Sequence, residues 1–171
     1  LYLIVLLPRL GAGLGAAITG TLFVALLAEK VDGHSACSAL RYAGTGSANV
    51  SAALVRDLYA QGLSVVSVGY GMTECDTISS TRLSDSAETI ATTVGRPLDG
   101  LDIQITDESG AAVASGVEGE IWIRGYMVAS AYLGENGQYV AAIDAQGWLH
   151  TGDIGRFNTE GNLQILGRKK D

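Results

Sequence analysis

The stretch LSVVSVGYGMTEC, residues 63–75, changes character halfway along. Its first half, LSVVSV, is apolar, rich in valine and free of charge, as suits a buried strand. Its second half puts an aromatic ring (Tyr70), a glycine (Gly71), a hydroxyl (Thr73) and a carboxylate (Glu74) within five residues. That mixture is wasteful in a core. It suits a strand end that lines a small anionic ligand with a flat ring and a metal ion.

Working outward, the flanks predict how that strand is set. Upstream, Ser51 can cap a helix whose apolar residues Val50, Leu54 and Leu58 recur at i, i+4 and i+8, and Gly62 can close it. Before it, SALRYAGTGSA (38–48) reads as a short strand and a glycine-rich turn. Residues 1–7 read as a buried strand, and 14–29 as a helix weakened by Gly15 and Gly20. This alternation predicts an α/β part with a mostly parallel sheet over residues 1–98. Beyond Pro97 the period changes. LDIQITDESGAAV alternates through Ile103 and Ile105 and turns at DESG; GEIWIRG alternates through Ile121 and Ile123, and NLQIL through Leu163 and Ile165. Short alternating strands predict an antiparallel, β-rich, barrel-like subdomain over residues 99–168.

Composition narrows the function. Of 171 residues, 47% are hydrophobic and only 17% charged, below the quarter usual for a soluble domain, which suggests a surface normally covered by more protein. The net charge of −7 argues against nucleic-acid binding through phosphate neutralisation. Two cysteines, Cys37 and Cys75, without a CxxC pair support neither a disulfide framework nor a zinc site, and a reducing, cytoplasmic setting is expected. The uncharged run 10–28 raises a membrane span or signal peptide. Pro8 and Arg9 interrupt the apolar run and no basic leader precedes it, so a buried strand and helix are expected there, and membrane association is not.

Four stretches carry candidate chemistry: GTGSA (44–48), YGMTE (70–74), HTGDIG (150–155) and GRKKD (167–171). Tyr70 can stack on a nucleobase. Gly71 permits close backbone approach. Thr73 offers a hydroxyl to a phosphate oxygen, and Glu74 a hard oxygen to Mg²⁺. Asp153, after a tight Thr-Gly turn, can accept from two ribose hydroxyls, and Arg168 presents a fixed fork of donors. Taken singly, each has a plainer reading as turn, cap or solvated surface. His34 and His150 lack metal-ligand spacing and read as structural, and Cys75 as a packed thiol. Neither a local Ser/His/Asp grouping nor HExxH occurs.

The joint order of YGMTE, VGRPLDGLDIQITDESG, GEIWIRG, GWLHTGDIG and GNLQILGRKKD resembles the acyl-activating, adenylate-forming enzymes, the superfamily of acyl-CoA synthetases, luciferases and peptide-synthetase adenylation domains. The resemblance covers residues 38–171 well and 1–37 poorly. It implies that Tyr70 lies against adenine, that Thr73 meets the α-phosphate of ATP or AMP, and that Glu74 binds Mg²⁺. It gives ribose to Asp153 and Arg168, the border of adenine and acyl pocket to Gly44, Thr45 and Gly46, and the hinge to a further C-terminal domain to residues 169–171. Glu120, Arg124 and Gly125 would be scaffold. GRKKD and GWLHTGDIG are similar to the acyl-CoA synthetase forms, which activate a fatty or aryl acid with ATP and pass it to CoA. No counterpart of the family's phosphate loop or lysine-bearing C-terminal domain is recognisable. The chain is therefore expected to be a fragment of the large N-terminal domain, to need the remainder of the synthetase fold, and to be inactive alone. Val68 stands where the family often has Asn or Gln.

Two other functions compete. GAGLGA (11–16) matches a dinucleotide-binding fingerprint, with Glu29 or Asp32 further on, but Pro8, Arg9 and Leu10 separate strand from glycine. A non-catalytic nucleotide-binding or interaction fragment that retains half a site is the other.

Overall fold

The computed structural model describes residues 3–8, 16–19, 40–46 and 50–169. They fall into two compact units, Leu1–Tyr70 with Ser80–Gly95, and Gly71–Ser79 with Arg96–Asp171.

In the first unit, β1 (Leu3–Pro8) pairs antiparallel with β2 (Ala16–Thr19) on one side and with β3 (Leu40–Gly46) on the other. β3 pairs in parallel with β4 (Val65–Met72), Tyr42 opposite Val65 and Gly46 opposite Gly69. The sheet is therefore mixed, where the sequence predicts a mostly parallel one. Only seven residues separate Pro8 from Ala16, and a parallel neighbour needs a crossover of roughly a dozen or more. The helix expected over 14–29 is likewise corrected at Ala16–Thr19, which is strand. Ile18 and Thr19 are β-branched, and glycines flank the segment, a poor context for a helix. The rest of that expectation lies outside the described residues.

The helix after β3 forms as its sequence dictates. In α1 (Ala52–Ala60) the Ser51 hydroxyl accepts from the Leu54 N–H at 3.1 Å, and Gly62 follows with φ +96°. A serine cap of this kind stabilises by about 1 kcal/mol. Val50, Val55 and Leu58 are buried, and Leu54 packs at the edge of the same cluster. Val66 and Val68 of β4 and Ile90 of α2 (Ala87–Thr92) complete that core. Ser86 caps α2 by accepting from the Thr89 N–H. Past β5 (Asp76–Ser80), the Thr81 hydroxyl accepts from the Val68 N–H at 2.9 Å, and the Thr81 N–H donates to Val68 O at 2.9 Å.

The second unit begins with the tip where β4 turns into β5; the Cys75 N–H donates to Met72 O at 3.1 Å. After β6 (Arg96–Pro97), the Leu98 N–H donates to Ile78 O at 3.0 Å. β7 (Leu101–Thr106) and β8 (Gly119–Gly125) pair antiparallel, Leu101 opposite Gly125 and Thr106 opposite Glu120. At the DESG turn Asp107 Oδ1 accepts from the backbone of Ser109 and Ala111, an Asx turn closed by Gly110 at φ +83°. β9 (Ala131–Leu133) and β10 (Tyr139–Ala141) form a small two-stranded sheet. β11 (Leu149–Phe157) and β12 (Leu163–Arg168) complete a four-stranded antiparallel sheet in the order β12-β11-β8-β7.

Leu101, Ile105, Ile121, Ile123, Leu149 and Leu163 are buried in this sheet, as period-two alternation predicts. Truncating a buried isoleucine such as Ile121 to alanine costs about 2–5 kcal/mol. Among the described residues no sheet closes into a barrel; four strands are too few, since side chains fill a closed barrel of about eight. Among the described residues, no helix is long and apolar enough to cross a membrane.

Candidate functional site

The carboxyl ends of β3 and β4 lie side by side in the first unit. Thr45 faces Val68 and Gly46 faces Gly69, one residue before Tyr70. In open α/β sheets, ligands bind outside such strand ends. The Thr45 hydroxyl there is buried with no hydrogen-bond partner among the described residues. A buried polar atom without a partner costs about 1–3 kcal/mol, and a ligand that engages it recovers that cost. Gly44 lies under the Tyr42 ring, where a Cβ would come within 2.9 Å of the phenol.

Gly71, Thr73 and Glu74 occupy the hairpin that opens the second unit. Gly71 has a local reason to be glycine, because a Cβ there would lie 2.1 Å from the backbone oxygen of Asp76. Asp76 itself holds φ +53°, a left-handed conformation that aspartate tolerates better than most residues. Thr73 is exposed. Glu74 is pinned by a later segment: its backbone oxygen accepts from the Ala129 N–H at 2.7 Å, and its Oε1 from the Tyr132 hydroxyl at 3.0 Å. Partial burial, then the hydrogen bond and charge of Glu74, raise the Tyr132 phenol above its ordinary pKa. Next door, burial and then the Glu74 charge push the Cys75 thiol up to about 11. Such a thiol stays protonated at neutral pH and is a poor nucleophile, in keeping with a packed cysteine. Cys37 and His34 lie outside the described residues.

Asp153 and Arg168 are brought together in the second unit. They face each other across β11 and β12, with Arg168 Nε 3.0 Å from Asp153 Oδ1. The HTGD segment is a kink in β11, because the pairing with β8 shifts register between His150 and Ile154. Side chains take over the backbone bonds released there. Thr151 Oγ1 donates to Ile121 O at 2.8 Å and accepts from the Asp153 N–H at 3.0 Å. Glu120 Oε1 accepts from the Gly152 N–H at 3.1 Å. Gly152 holds φ +73°, which favours glycine. His150, expected to be structural, makes local contacts. Its ring stacks on Trp122 at 3.8 Å, and its Nε2 lies 3.0 Å from Asp144 Oδ2. Arg124 stacks over Trp148 at 4.5 Å and pairs with Asp102.

Glu120 and Lys169, which the sequence reading assigns to scaffold and to the hinge, meet beside this pair. The Lys169 ammonium lies 2.9 Å from Glu120 Oε2, and the Lys169 N–H donates to Gly152 O at 2.8 Å. Burial raises the Glu120 carboxyl, but the Lys169 ammonium, the Trp122 side chain and the Gly152 N–H together outweigh it and hold the group below its ordinary value. A depressed carboxylate contributes stability that is full above its unfolded pKa and lost as pH falls through the folded one. The stability gap between the native chain and Glu120→Gln should therefore narrow from about pH 6 to about pH 3. Urea melts at those pH values check this; a gap independent of pH contradicts the assignment. The alternation of GEIWIRG puts Glu120 on the sheet face opposite Ile121 and Ile123, but its cross-strand partners depend on a register the sequence does not display.

The candidate residues thus fall in both units: Gly44, Thr45, Gly46 and Tyr70 in the first, and Gly71, Thr73, Glu74, Asp153 and Arg168 in the second. A family profile described as AMP-binding enzyme matches residues 15–133, and the chain belongs to that family. It is 38% identical over 153 residues to a methyl-dioxo-octahydroindenyl propanoyl:CoA ligase of Mycobacterium tuberculosis, covering 88% of this chain and 28% of that protein. It is 39% identical over 136 residues to a vibriobactin-specific 2,3-dihydroxybenzoate-AMP ligase of Vibrio cholerae, covering 78% of this chain and 25% of that one. Among solved structures, O-succinylbenzoate coenzyme A synthetase of Bacillus subtilis, in complex with ATP and magnesium ion, matches with a TM-score of 0.73 and 29% identity, covering 89% of this chain and 31% of that one. The chain thus spans about a quarter of the length of the curated relatives it matches. The GAGLGA stretch lies outside the described residues apart from Ala16, so the dinucleotide reading rests on sequence alone.

Proposed function

We propose that this chain is part of an ATP-dependent acyl-CoA ligase acting on a fatty or aryl acid, and that it supplies the adenosine side of the active site. The observation that carries the reading is the Asp153–Arg168 pair at the kink of β11. A carboxylate has about four acceptor sites, so Asp153 can bond Arg168 and still accept from ribose hydroxyls. Arg168, exposed beyond the pair, offers its remaining donors to ribose or phosphate. Tyr70 stacks on adenine, Gly71 gives the ligand close approach, Thr73 bonds the α-phosphate, and the turn of Gly44, Thr45 and Gly46 borders adenine and the acyl group.

The chemistry is two displacements. A carboxylate oxygen of the acid attacks the α-phosphorus of ATP and pyrophosphate leaves, giving acyl-AMP. The CoA sulfur then attacks the acyl carbonyl, its proton is lost, and AMP leaves with the electron pair of the broken C–O bond. Magnesium fits the residues present. Among the described residues no group of three or more metal-ligating side chains exists, and Mg²⁺ needs only one or two carboxylates when phosphates complete its shell. Glu74, oriented by Tyr132, would be that carboxylate, and the ion when bound would neutralise phosphate charge. The chain's four-stranded sheet would be part of a barrel-like subdomain, and residues 169–171 the start of the hinge to a further domain.

Binding measurements in the full-length protein test this. Glu74→Ala should weaken Mg·ATP binding by about tenfold or more, the value of a lost bond to a charged group. It should leave adenosine, which has no phosphate, within about twofold of native. Equal losses for both ligands, or none, would remove Glu74 from the metal. Binding without any pyrophosphate exchange across a panel of acids would favour a non-catalytic nucleotide-binding module.

A further inference from the structure

We propose that Glu120 is a positioning residue for ribose recognition, acting through Asp153 and clamped in turn by Lys169; the proposal rests on the ribose assignment above. The geometry is a closed loop of contacts around the Asp153–Arg168 pair. Glu120 is largely buried at 12% side-chain exposure and sits on β8 opposite Ile154, the residue after Asp153. One of its oxygens accepts from the Gly152 N–H, immediately before Asp153, at 3.1 Å. The other meets the Lys169 ammonium, immediately after Arg168, at 2.9 Å. The Lys169 N–H returns to Gly152 O at 2.8 Å, joining the two strands directly.

Glu120 therefore holds the Gly152 backbone just before Asp153 and the Lys169 side chain just after Arg168, one on each side of the pair. The need for such a grip follows from the kink. Where β11 leaves register with β8, residues 151–153 lose the ladder on that side and keep only the pairing with β12. A recognition carboxylate must be held to within a fraction of an ångström to present two acceptors to two adjacent hydroxyls. Thr151 and Glu120 provide the replacement bonds, and Lys169 fixes which way the Glu120 carboxylate faces. An uncharged side chain could fill the space but could not hold both donors.

The readout that separates positioning from general scaffolding is the preference for AMP over 2′-deoxy-AMP, measured by calorimetry in the full-length protein. A merely structural residue lowers both affinities together and leaves their ratio unchanged. The native protein should prefer AMP by about tenfold or more, and Glu120→Ala should bring the ratio to within about twofold of unity. Glu120→Gln should retain part of the preference, because its amide oxygen still accepts the Gly152 N–H. Lys169→Met, at an exposed side chain, should cut the ratio by about threefold. If Glu120→Ala does not fold, Glu120→Gln and Lys169→Met decide the matter by the same ratio. Native ratios in the variants, with Asp153→Ala abolishing the preference, would overturn the role of Glu120 and spare the ribose assignment. No preference in the native protein would overturn the ribose assignment itself, and this proposal with it.

Discussion

Asp153→Ala in the full-length protein is expected to weaken AMP binding by about tenfold to a hundredfold. Hydrogen bonds to a charged group contribute roughly 1.5–3 kcal/mol net, and each 1.4 kcal/mol is a factor of ten in affinity. The variant should fold, because Arg168, a partner it deprives, is well exposed and keeps its bond to Thr151 O. 2′-Deoxy-AMP on the native protein should mimic part of the loss, since it removes one of the two hydroxyls. Calorimetric titration of both nucleotides measures the effect. If Asp153→Ala binds AMP as tightly as the native protein, HTGD is a strand kink and nothing more.

The largest effect on stability is expected at Gly95. It holds φ +76°, and a Cβ there would lie 2.0 Å from the backbone carbonyl carbon of Ser80. Two penalties combine. The left-handed conformation costs a residue with a side chain about 1 kcal/mol or more. The overlap is with main chain, which cannot rotate away as a side chain can, and forcing extra atoms into packed structure adds about 1–3 kcal/mol. Gly95→Ala should therefore lose about 3 kcal/mol or fail to fold. Gly116 is the internal control, with φ +87° but nothing within 4 Å of its Cβ position. Gly116→Ala should lose only about 1 kcal/mol. Urea midpoints of the two variants give the comparison; equal losses would mean that the contact with Ser80 relaxes without cost.

What the sequence made legible was local. The Ser51 cap, the stripe through Val50 and Leu58, and the alternation around Ile121 and Ile123 each write their period within a dozen residues, and the structure follows them. Ala16–Thr19 was misread because a short apolar run looks alike as helix or strand until its partner is known. The sheet's mixed direction was hidden for a related reason, as alternation of elements shows their order and not their sense. At the candidate site, residue types were readable and partnerships were not. Tyr132 reaches Glu74 across 58 positions, and Lys169 reaches Glu120 across 49. Such pairs have no period, and the one joining Lys169 to Glu120 depends on a register that the kink in β11 displaces. Gly71 shows a different gap: its residue type matched the expectation for a ligand-facing glycine, while the crowding against Asp76 that also demands it appears only once β4 turns back on itself.

The kink in β11 has one more consequence. The amides of Gly152 and Asp153 donate to the side chains of Glu120 and Thr151 instead of to carbonyls of the neighbouring strand. Their exchange with deuterated solvent is therefore governed by two individual side chains and not by the cooperative opening of a ladder. Those two protons are built-in gauges of the kink. They can speed up or slow down while the amides of the surrounding sheet keep their native protection, so that local loosening around Asp153 can be told apart from loss of the fold.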